Sequence, residues 1–115
     1  MLRGKQTWWF DSRPVIIGTG TVVGPDEGAG PLAADFDLVH AELDLNQKSW
    51  EKAERLLLEQ ASDFAIRNAG IRKEQVQFYV GGDLLNQLIS NSFTARELGL
   101  PYIGVFGACS TSMQS

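Results

Sequence analysis

Residues 49–83, SWEKAERLLLEQASDFAIRNAGIRKEQVQFYVGGD, decide the fold class. Through the first two thirds of this stretch, small or apolar residues recur every three or four positions, which places them on one face of a helix. Ser49 is predicted as the N-cap and Gly70 as the C-cap, so the pattern predicts an amphipathic helix of about five turns. The predicted face comprises Ala53, Leu57, Ala61, Phe64, Ala65 and Asn68, and the charged Lys52, Glu54, Glu59 and Asp63 lie away from it.

Two apolar strands follow this helix. The first is predicted over 76–80 and ends at Gly81 and Gly82, and the second is predicted over 101–107, PYIGVFG. Strands that alternate with helices in this way pair in parallel through right-handed crossovers, and they read as apolar runs because both faces are buried. The sequence therefore predicts an α/β fold with a mostly parallel sheet and crossover helices.

The segment between these strands carries helix signals. Asp83 is predicted to cap a helical turn directly after it. Asn91 or Ser92 is predicted to cap a further helix, which ends at Gly99. The helix would supply the crossover that a parallel pair requires.

The N-terminal part of the chain has weaker patterns. Strands are predicted near 6–10 and 15–18, joined by a turn over 11–14 that ends in a proline. Residues 25–47 contain glycine and proline turn signals without a sustained period, which predicts an ordered excursion. His40 lies in this excursion and is interpreted as a solvated or capping residue.

Composition limits the function classes. A chain of 115 residues has the length of one domain at most. Its net charge of -4 argues against general attraction to nucleic acid or an anionic membrane, while a local basic pocket remains allowed. No apolar run has the length of a signal peptide or a transmembrane helix, so neither a signal peptide nor direct membrane insertion is expected. The acidic residues around His40 lack a recognised ligand spacing, and no metal site is predicted.

The single cysteine, Cys109, lies in the small-residue stretch FGACSTSMQS (106–115), directly after the last predicted strand. Ligands of open α/β sheets bind beyond the carboxyl ends of the strands, where this turn would meet the glycines at 81 and 82. A thiol between strand and helix meets the positive end of a helix dipole, which favours the thiolate and activates a nucleophile. The other interpretation, which spacing alone favours, is a small buried structural cysteine.

Six short stretches together resemble the stage V sporulation protein AD family, thiolase-like proteins of endospore-forming bacteria. The order of long helix, strand and cysteine turn is similar to the N-terminal half of the thiolase superfamily. The six stretches are GKQTW (4–8), GTVVGP (20–25), GPLAADFD (30–37), NQKSWEKAE (46–54), GGDLLNQ (81–87) and FGACSTSM (106–113).

The resemblance implies a fold and a set of partners. It implies that residues 1–115 form a truncated N-terminal part of the first of two related thiolase-like halves. It also implies a protein that binds dipicolinic acid for uptake into the spore, with the other stage V sporulation A membrane proteins as partners and with homodimerisation. The protein would be intracellular and peripheral at the spore inner membrane, held there through those partners. No cofactor is implied, and calcium would enter only as the counter-ion of dipicolinate.

The resemblance leaves two functions open. Cys109 matches the acylated nucleophile of the superfamily, so the alternative to a non-catalytic dipicolinate-binding module is an acyltransferase, a condensing enzyme of the ketoacyl synthase III type. The balance favours a protein that is not an enzyme. The histidine that completes such a catalytic site would lie outside this chain, and His40 is not assigned to that role.

The candidate ligand-binding groups are those that could donate to a planar dianion. Each has a plainer interpretation: the amides could satisfy turn backbone, the lysine could be a solvated charge, and the hydroxyls could cap the last helix. Asp83 is interpreted as a cap because a carboxylate would repel the dianion. The candidates are Lys48, Asn86, Gln87, Cys109, Ser110 and Thr111.

The solution behaviour of the 115-residue chain tests the expected truncation. Without further strands, the predicted sheet exposes an unpaired edge and apolar faces, so we predict poor solubility or self-association. Sedimentation velocity measures this directly. A monodisperse monomer that melts cooperatively would contradict the prediction.

Overall fold

One long helix organises the chain. The computed structural model describes residues 1–85 and 88–115. Its helices are α1 (Pro25–Gly28), α2 (Trp50–Asn68), α3 (Ile89–Leu98) and α4 (Thr111–Gln114). Its strands are β1 (Leu2–Arg3), β2 (Thr7–Trp8), β3 (Val22–Val23), β4 (Leu38–Val39), β5 (Tyr79–Gly81) and β6 (Tyr102–Gly104). Three-residue 3-10 turns lie at Ala33–Asp35, Lys73–Gln75 and Ala108–Ser110.

Helix α2 begins and ends where its sequence signals indicate. The Ser49 hydroxyl accepts a hydrogen bond from the Lys52 backbone N–H at 3.3 Å, which satisfies one of the free N–H groups of the first turn. Ala69 is the C-cap, and Gly70 follows it with φ +66°, a left-handed conformation that glycine adopts without strain. The predicted N-cap is confirmed, and the helix ends one residue before the predicted C-cap.

Two parallel strand pairs confirm the α/β class. β5 pairs with β6 in the register Tyr79 to Tyr102 and Gly81 to Gly104, with α3 as the connection between them. β3 pairs with β4 in parallel. Both β5 and β6 are shorter than predicted: the pairing begins where the two tyrosines face each other, and β6 ends at Gly104.

The predicted strand over 15–18 is wrong, because these residues form no strand pair and the backbone at Gly18 and Gly20 packs against helix α2. A Cβ built at Gly18 would lie 2.6 Å from the Ala69 backbone nitrogen, and one at Gly20 would lie 2.0 Å from the Ala61 carbonyl oxygen. Only glycine permits this close approach of backbone to helix. The next strand after this stretch is therefore β3, and the predicted strand near 6–10 is limited to β2.

A carboxylate connects the β3–β4 pair to the end of α2. Asp37 Oδ2 accepts hydrogen bonds from the Thr21 N–H at 2.8 Å and the Thr21 hydroxyl at 2.9 Å, and Asn68 Nδ2 donates to Oδ1 at 3.1 Å. These donors, led by the Thr21 backbone N–H, lower the pKa of the Asp37 carboxyl. The excursion predicted over 25–47 is thus ordered by specific contacts to the long helix.

The capping residues of α3 differ from those predicted. Asn91 and Ser92 lie inside the helix, and the residue at the N-cap position is Leu88, whose side chain makes no capping bond. The carboxylate of Asp83, which was predicted to cap a turn directly after it, accepts instead from the backbone N–H groups of Ser90 and Asn91, each at 2.7 Å. Asp83, which follows β5, therefore caps α3 from seven residues before Ser90. Local sequence patterns do not reveal a contact of this kind.

Much of the apolar surface in the described ranges is exposed. The buried apolar residues are small in number, and Ile103 of β6 and the following Phe106 are 55% and 68% exposed. This exposure gives the predicted self-association a structural basis. No helix among the described residues has the length and apolar character that a membrane span requires. The buried apolar residues are Leu45, Ala53, Ala95 and Leu98.

Replacement of Gly82 tests the close packing at the end of β5. A Cβ at this position would lie 2.2 Å from the Val105 carbonyl oxygen and 2.7 Å from Thr111 Oγ1. We expect Gly82→Ala to lower the free energy of unfolding by about 1–3 kcal/mol, because backbone must move to admit the methyl group. Thermal unfolding followed by circular dichroism measures the effect.

The matched control is Gly24→Ala. Gly24 has φ -89° and no heavy atom within 4 Å of a built Cβ, so the added methyl group meets open space. Equal melting temperatures for the two variants would contradict the packing described at Gly82.

Candidate functional site

The carboxyl ends of β5 and β6 meet at one edge and enclose a cleft of about 280 Å³. This volume is just below the usual range for small-molecule sites, roughly 300–1,000 Å³. The segments that follow the two strands come together as the strand pattern predicts. The cleft is lined by Asp83, Leu84 and Leu85 after β5 and by Phe106, Gly107 and Ala108 after β6.

The turn after β6 carries the single cysteine. The Val105 N–H donates to the Gly81 carbonyl at 2.9 Å, which extends the pairing one residue past the strand. Ala108 then takes a left-handed φ of 45°, and Cys109 lies in the middle of the 3-10 turn that follows. Cys109 is exposed, which differs from the interpretation of a buried structural cysteine.

The two hydroxyl residues of this turn have different surroundings. Ser110 Oγ donates to the Gly107 carbonyl at 2.8 Å, so it serves the turn itself. Thr111 Oγ1 is buried against Gly82 and makes no hydrogen bond. A buried hydroxyl without a partner costs about 1–3 kcal/mol, so Thr111 is the group of this turn with bonding capacity to spare.

None of the predicted binding residues that the structure describes belongs to the lining of the cleft. Lys48 is exposed, directly before the N-cap of α2, and does not belong to the lining. Asn86 and Gln87 lie outside the described residues. Of the predicted set, Cys109, Ser110 and Thr111 lie in the turn after β6, directly beyond the lining residue Ala108, and Lys48 lies just before the start of α2.

A buried polar network forms the wall behind the cleft, and the sequence did not indicate it. Asp83 and Asn91 are 6% and 0% exposed. Asn91 Nδ2 donates to Asp83 Oδ1 at 2.5 Å, and the Tyr79 hydroxyl donates to Asn91 Oδ1. Both oxygens of Asp83 are thus occupied by donors of α3, which offsets the negative charge next to the cleft.

Helix α2 holds the other part of this wall. Glu54 Oε1 accepts from the backbone N–H groups of Leu84 at 2.6 Å and Leu85 at 3.3 Å, while Oε2 is buried without a partner. Glu54 lies off the apolar stripe of α2 and reads as a solvated charge in the sequence. Its role depends on a loop 30 residues away in the chain, which a periodic pattern does not report.

The two tyrosines of the chain face each other across β5 and β6. Their ring centroids are 5.6 Å apart, and the Tyr102 hydroxyl donates to the Gly81 carbonyl at 3.3 Å. Burial raises the pKa of the Tyr79 hydroxyl to about 12, and the charges of Tyr102 and Asp83 add to this effect. Burial and then Asp83 also raise the pKa of the Tyr102 hydroxyl.

A larger cavity, of about 480 Å³, lies between the first turns of α2 and α3. Its basic residues are Lys52 and Arg55, but Arg55 pairs with Glu59 at 2.5 Å and with Glu97 at 3.5 Å. These carboxylates neutralise the guanidinium charge, so that charge is not available to bind an anion. We therefore place the candidate site at the strand ends. No group of three or more His, Cys, Asp or Glu within the described ranges is arranged to hold a metal ion.

Tyrosine titration tests the buried network, because both tyrosines belong to it. We expect the absorbance at the phenolate band to rise well above pH 10 in the folded chain and near pH 10 in the urea-unfolded chain. The raised pKa values leave stability unchanged below about pH 10, and stability then falls toward pH 12 because only the unfolded state releases the protons.

The Asp83→Asn variant separates charge from burial in this titration. Asp83 is the charged neighbour common to both tyrosines, so the variant should lower both pKa values without restoring them to those of the unfolded chain. Native tyrosines that titrate like those of the unfolded chain would show that the network does not form.

Comparison with known proteins agrees with the resemblance that the six short sequence stretches carry. The family model of Stage V sporulation protein AD (SpoVAD) matches residues 4–115. The chain is 44% identical over 114 residues to Stage V sporulation protein AD of Bacillus subtilis (strain 168). This alignment covers 99% of the chain and 34% of the relative, so the chain spans about a third of the relative's length. Because the family match extends over nearly all its residues, the chain belongs to the stage V sporulation protein AD family.

Proposed function

We propose that the chain forms part of a non-catalytic, thiolase-like sporulation module that binds dipicolinate at the cleft between the ends of β5 and β6. One observation carries the proposal: the two strand ends enclose a small cleft beside the turn of Cys109 to Thr111. Membership of the sporulation family supports the biological context. The resemblance to the thiolase superfamily supports the placement of the ligand at this edge.

The chemistry of the cleft suits a planar aromatic acid. Phe106 and the leucines at 84 and 85 supply apolar contact to a ring. The unpartnered hydroxyl of Thr111 is buried behind this lining, against Gly82, and would have to turn toward the ligand to bind it. The carboxylate of Asp83 would repel a dianion if it were free, but its two oxygens accept from α3. Oriented donors of a turn can hold an anion without a basic surface, so the acidic composition is compatible with this ligand.

The proposed module works as part of a larger assembly. The other stage V sporulation A membrane proteins are the proposed partners that pass dipicolinate into the spore, and homodimerisation is proposed with them. The protein would lie at the spore inner membrane through these partners. No cofactor is required, and calcium would accompany the ligand only as its counter-ion.

A second candidate function rests on Cys109. This thiol is exposed in the turn directly after β6 rather than buried in the core. That placement suits a condensing enzyme of the thiolase type, in which the thiolate would carry an acyl group. The two candidates differ in whether the thiol is required.

Calorimetric titration of dipicolinate tests the proposal on this chain and, in parallel, on the Bacillus subtilis relative. We expect saturable binding that Cys109→Ala retains and that Thr111→Val weakens by about tenfold, because one hydrogen bond to a charged group contributes roughly 1.5–3 kcal/mol. Benzene-1,3-dicarboxylate, which lacks the ring nitrogen, is the matched control ligand.

The outcomes separate the two candidates. Absence of binding by both proteins would overturn the carrier function. Mass spectrometry with an acyl thioester donor would then show whether Cys109 takes up an acyl group, with Cys109→Ala as the control. Equal binding of the control ligand would show that the cleft does not recognise a pyridine dicarboxylate.

A further inference from the structure

All residues of the N-terminal hairpin, residues 1–10, are exposed to solvent. β1 and β2 form its antiparallel ladder, and the Met1 and Trp9 backbones exchange two further hydrogen bonds, of 2.7 and 2.8 Å. Its backbone is therefore paired internally while its large apolar side chains face outward. These side chains are Met1 (70% exposed), Leu2 (52%), Trp8 (72%), Trp9 (46%) and Phe10 (63%).

The exposed apolar residues of the hairpin differ from those elsewhere in the chain. Val15 and Ile16 are as exposed, but they lie outside the strand pairs. The free N–H and C=O groups of an unpaired segment bind water when they are exposed, and they need new partners if the segment leaves water. A hairpin whose backbone is already paired can enter a less polar medium, because it leaves fewer unsatisfied groups.

Positive charge is concentrated at the same end of the chain. Residues 1–13 contain Arg3, Lys5 and Arg13 against one acidic residue, Asp11, which is a net charge of +2. The whole chain has a net charge of -4, so residues 14–115 carry -6. The first basic residue after Arg13 is Lys48, and the six charged residues between them are all acidic. The chain thus has a cationic aromatic end and an acidic body.

The cations and the aromatic rings of the hairpin are arranged together. The ladder places Leu2 opposite Trp8 on one face, and the guanidinium of Arg3 lies 4.1 Å from the ring centroid of Trp9 on the other. Tryptophan is enriched at membrane–water interfaces, and Arg and Lys keep their charges in the headgroup layer while their stems lie along apolar surface.

We propose that the N-terminal hairpin is a membrane-contact element that binds the surface of an anionic lipid bilayer. Trp8, Phe10 and Leu2 insert at the level of the headgroups, and the basic side chains contact lipid phosphates. The acidic body is repelled by the same surface, so it orients toward water with the hairpin facing the lipid. This inference is independent of the dipicolinate cleft, and the lipid contact would add to the proposed attachment through membrane partners.

An anionic bilayer complements the positive charge of the hairpin, as the acidic body of a second copy also would, and the experiment below separates these two occupants. A bilayer offers both an anionic layer and an apolar layer to one small hairpin. An anionic bilayer attracts Lys and Arg side chains near its surface.

Flotation with lipid vesicles tests the inference on the full 115-residue chain. Flotation separates vesicle-bound protein from self-associated protein, which sinks. We expect the chain to float with vesicles of phosphatidylcholine and phosphatidylglycerol, to stay behind with pure phosphatidylcholine, and to be released by salt. Arg3→Glu with Lys5→Glu should reduce binding by at least about tenfold.

A charge-matched variant makes this comparison specific. Lys73→Glu with Arg96→Glu produces the same net charge from exposed positions outside the hairpin, and it should float like the unmodified chain. For apolar contact, Trp8→Ser with Phe10→Ser should lose binding, whereas Val15→Ser with Ile16→Ser should retain it. Far-ultraviolet circular dichroism checks that each variant keeps its helices.

Three results would overturn the inference. The first is equal flotation of the two charge-reversed variants, and the second is equal binding to neutral and anionic vesicles. The third is a chain that does not float but whose self-association disappears in the Arg3→Glu, Lys5→Glu variant, since the hairpin would then bind a second copy. Binding of dipicolinate has no bearing on any of these results.

Discussion

The carboxylate of Asp83 is the contact on which the junction of β5, α3 and the cleft depends. Asp83 follows the end of β5, and its carboxylate accepts hydrogen bonds from two backbone N–H groups and one side-chain amide at the start of α3. A buried charge of this kind is stable only when donors surround it, and a helix start without a local cap needs an acceptor. Each therefore satisfies the requirement of the other. The parallel pair, its crossover helix and the wall of the cleft all meet at this carboxylate.

Local patterns predicted what depends on local interactions. Helix α2 could be read from its periodicity because its cap, Ser49, and its terminating glycine lie next to it in sequence. The parallel class could be read from apolar strands separated by helices, and β5 and β6 confirm it. The convergence of the two strand ends followed from that class alone, before any side-chain contact was known.

Contacts between distant segments account for what could not be predicted. Glu54 looks like a solvated charge, yet it accepts from the backbone of Leu84 and Leu85 across 30 residues of chain. Gly18 and Gly20 lie in a run with strand-like composition, but their lack of side chains allows packing against α2. The N-terminal hairpin was equally hidden, since its character lies in exposure and internal pairing rather than in composition.

The facing tyrosines also bear on how the chain finds its register during folding. Tyr79 and Tyr102 are direct partners in the ladder, and their rings stack at an interplanar angle of 22°. A slip of one residue would send one ring to the opposite face of the sheet and would break the stack and the hydroxyl contacts together. Helix α2 can form from local contacts, whereas this pair closes a loop of more than twenty residues and belongs to a later stage of folding. The ring stack thus stabilises one register of the two strands when they pair.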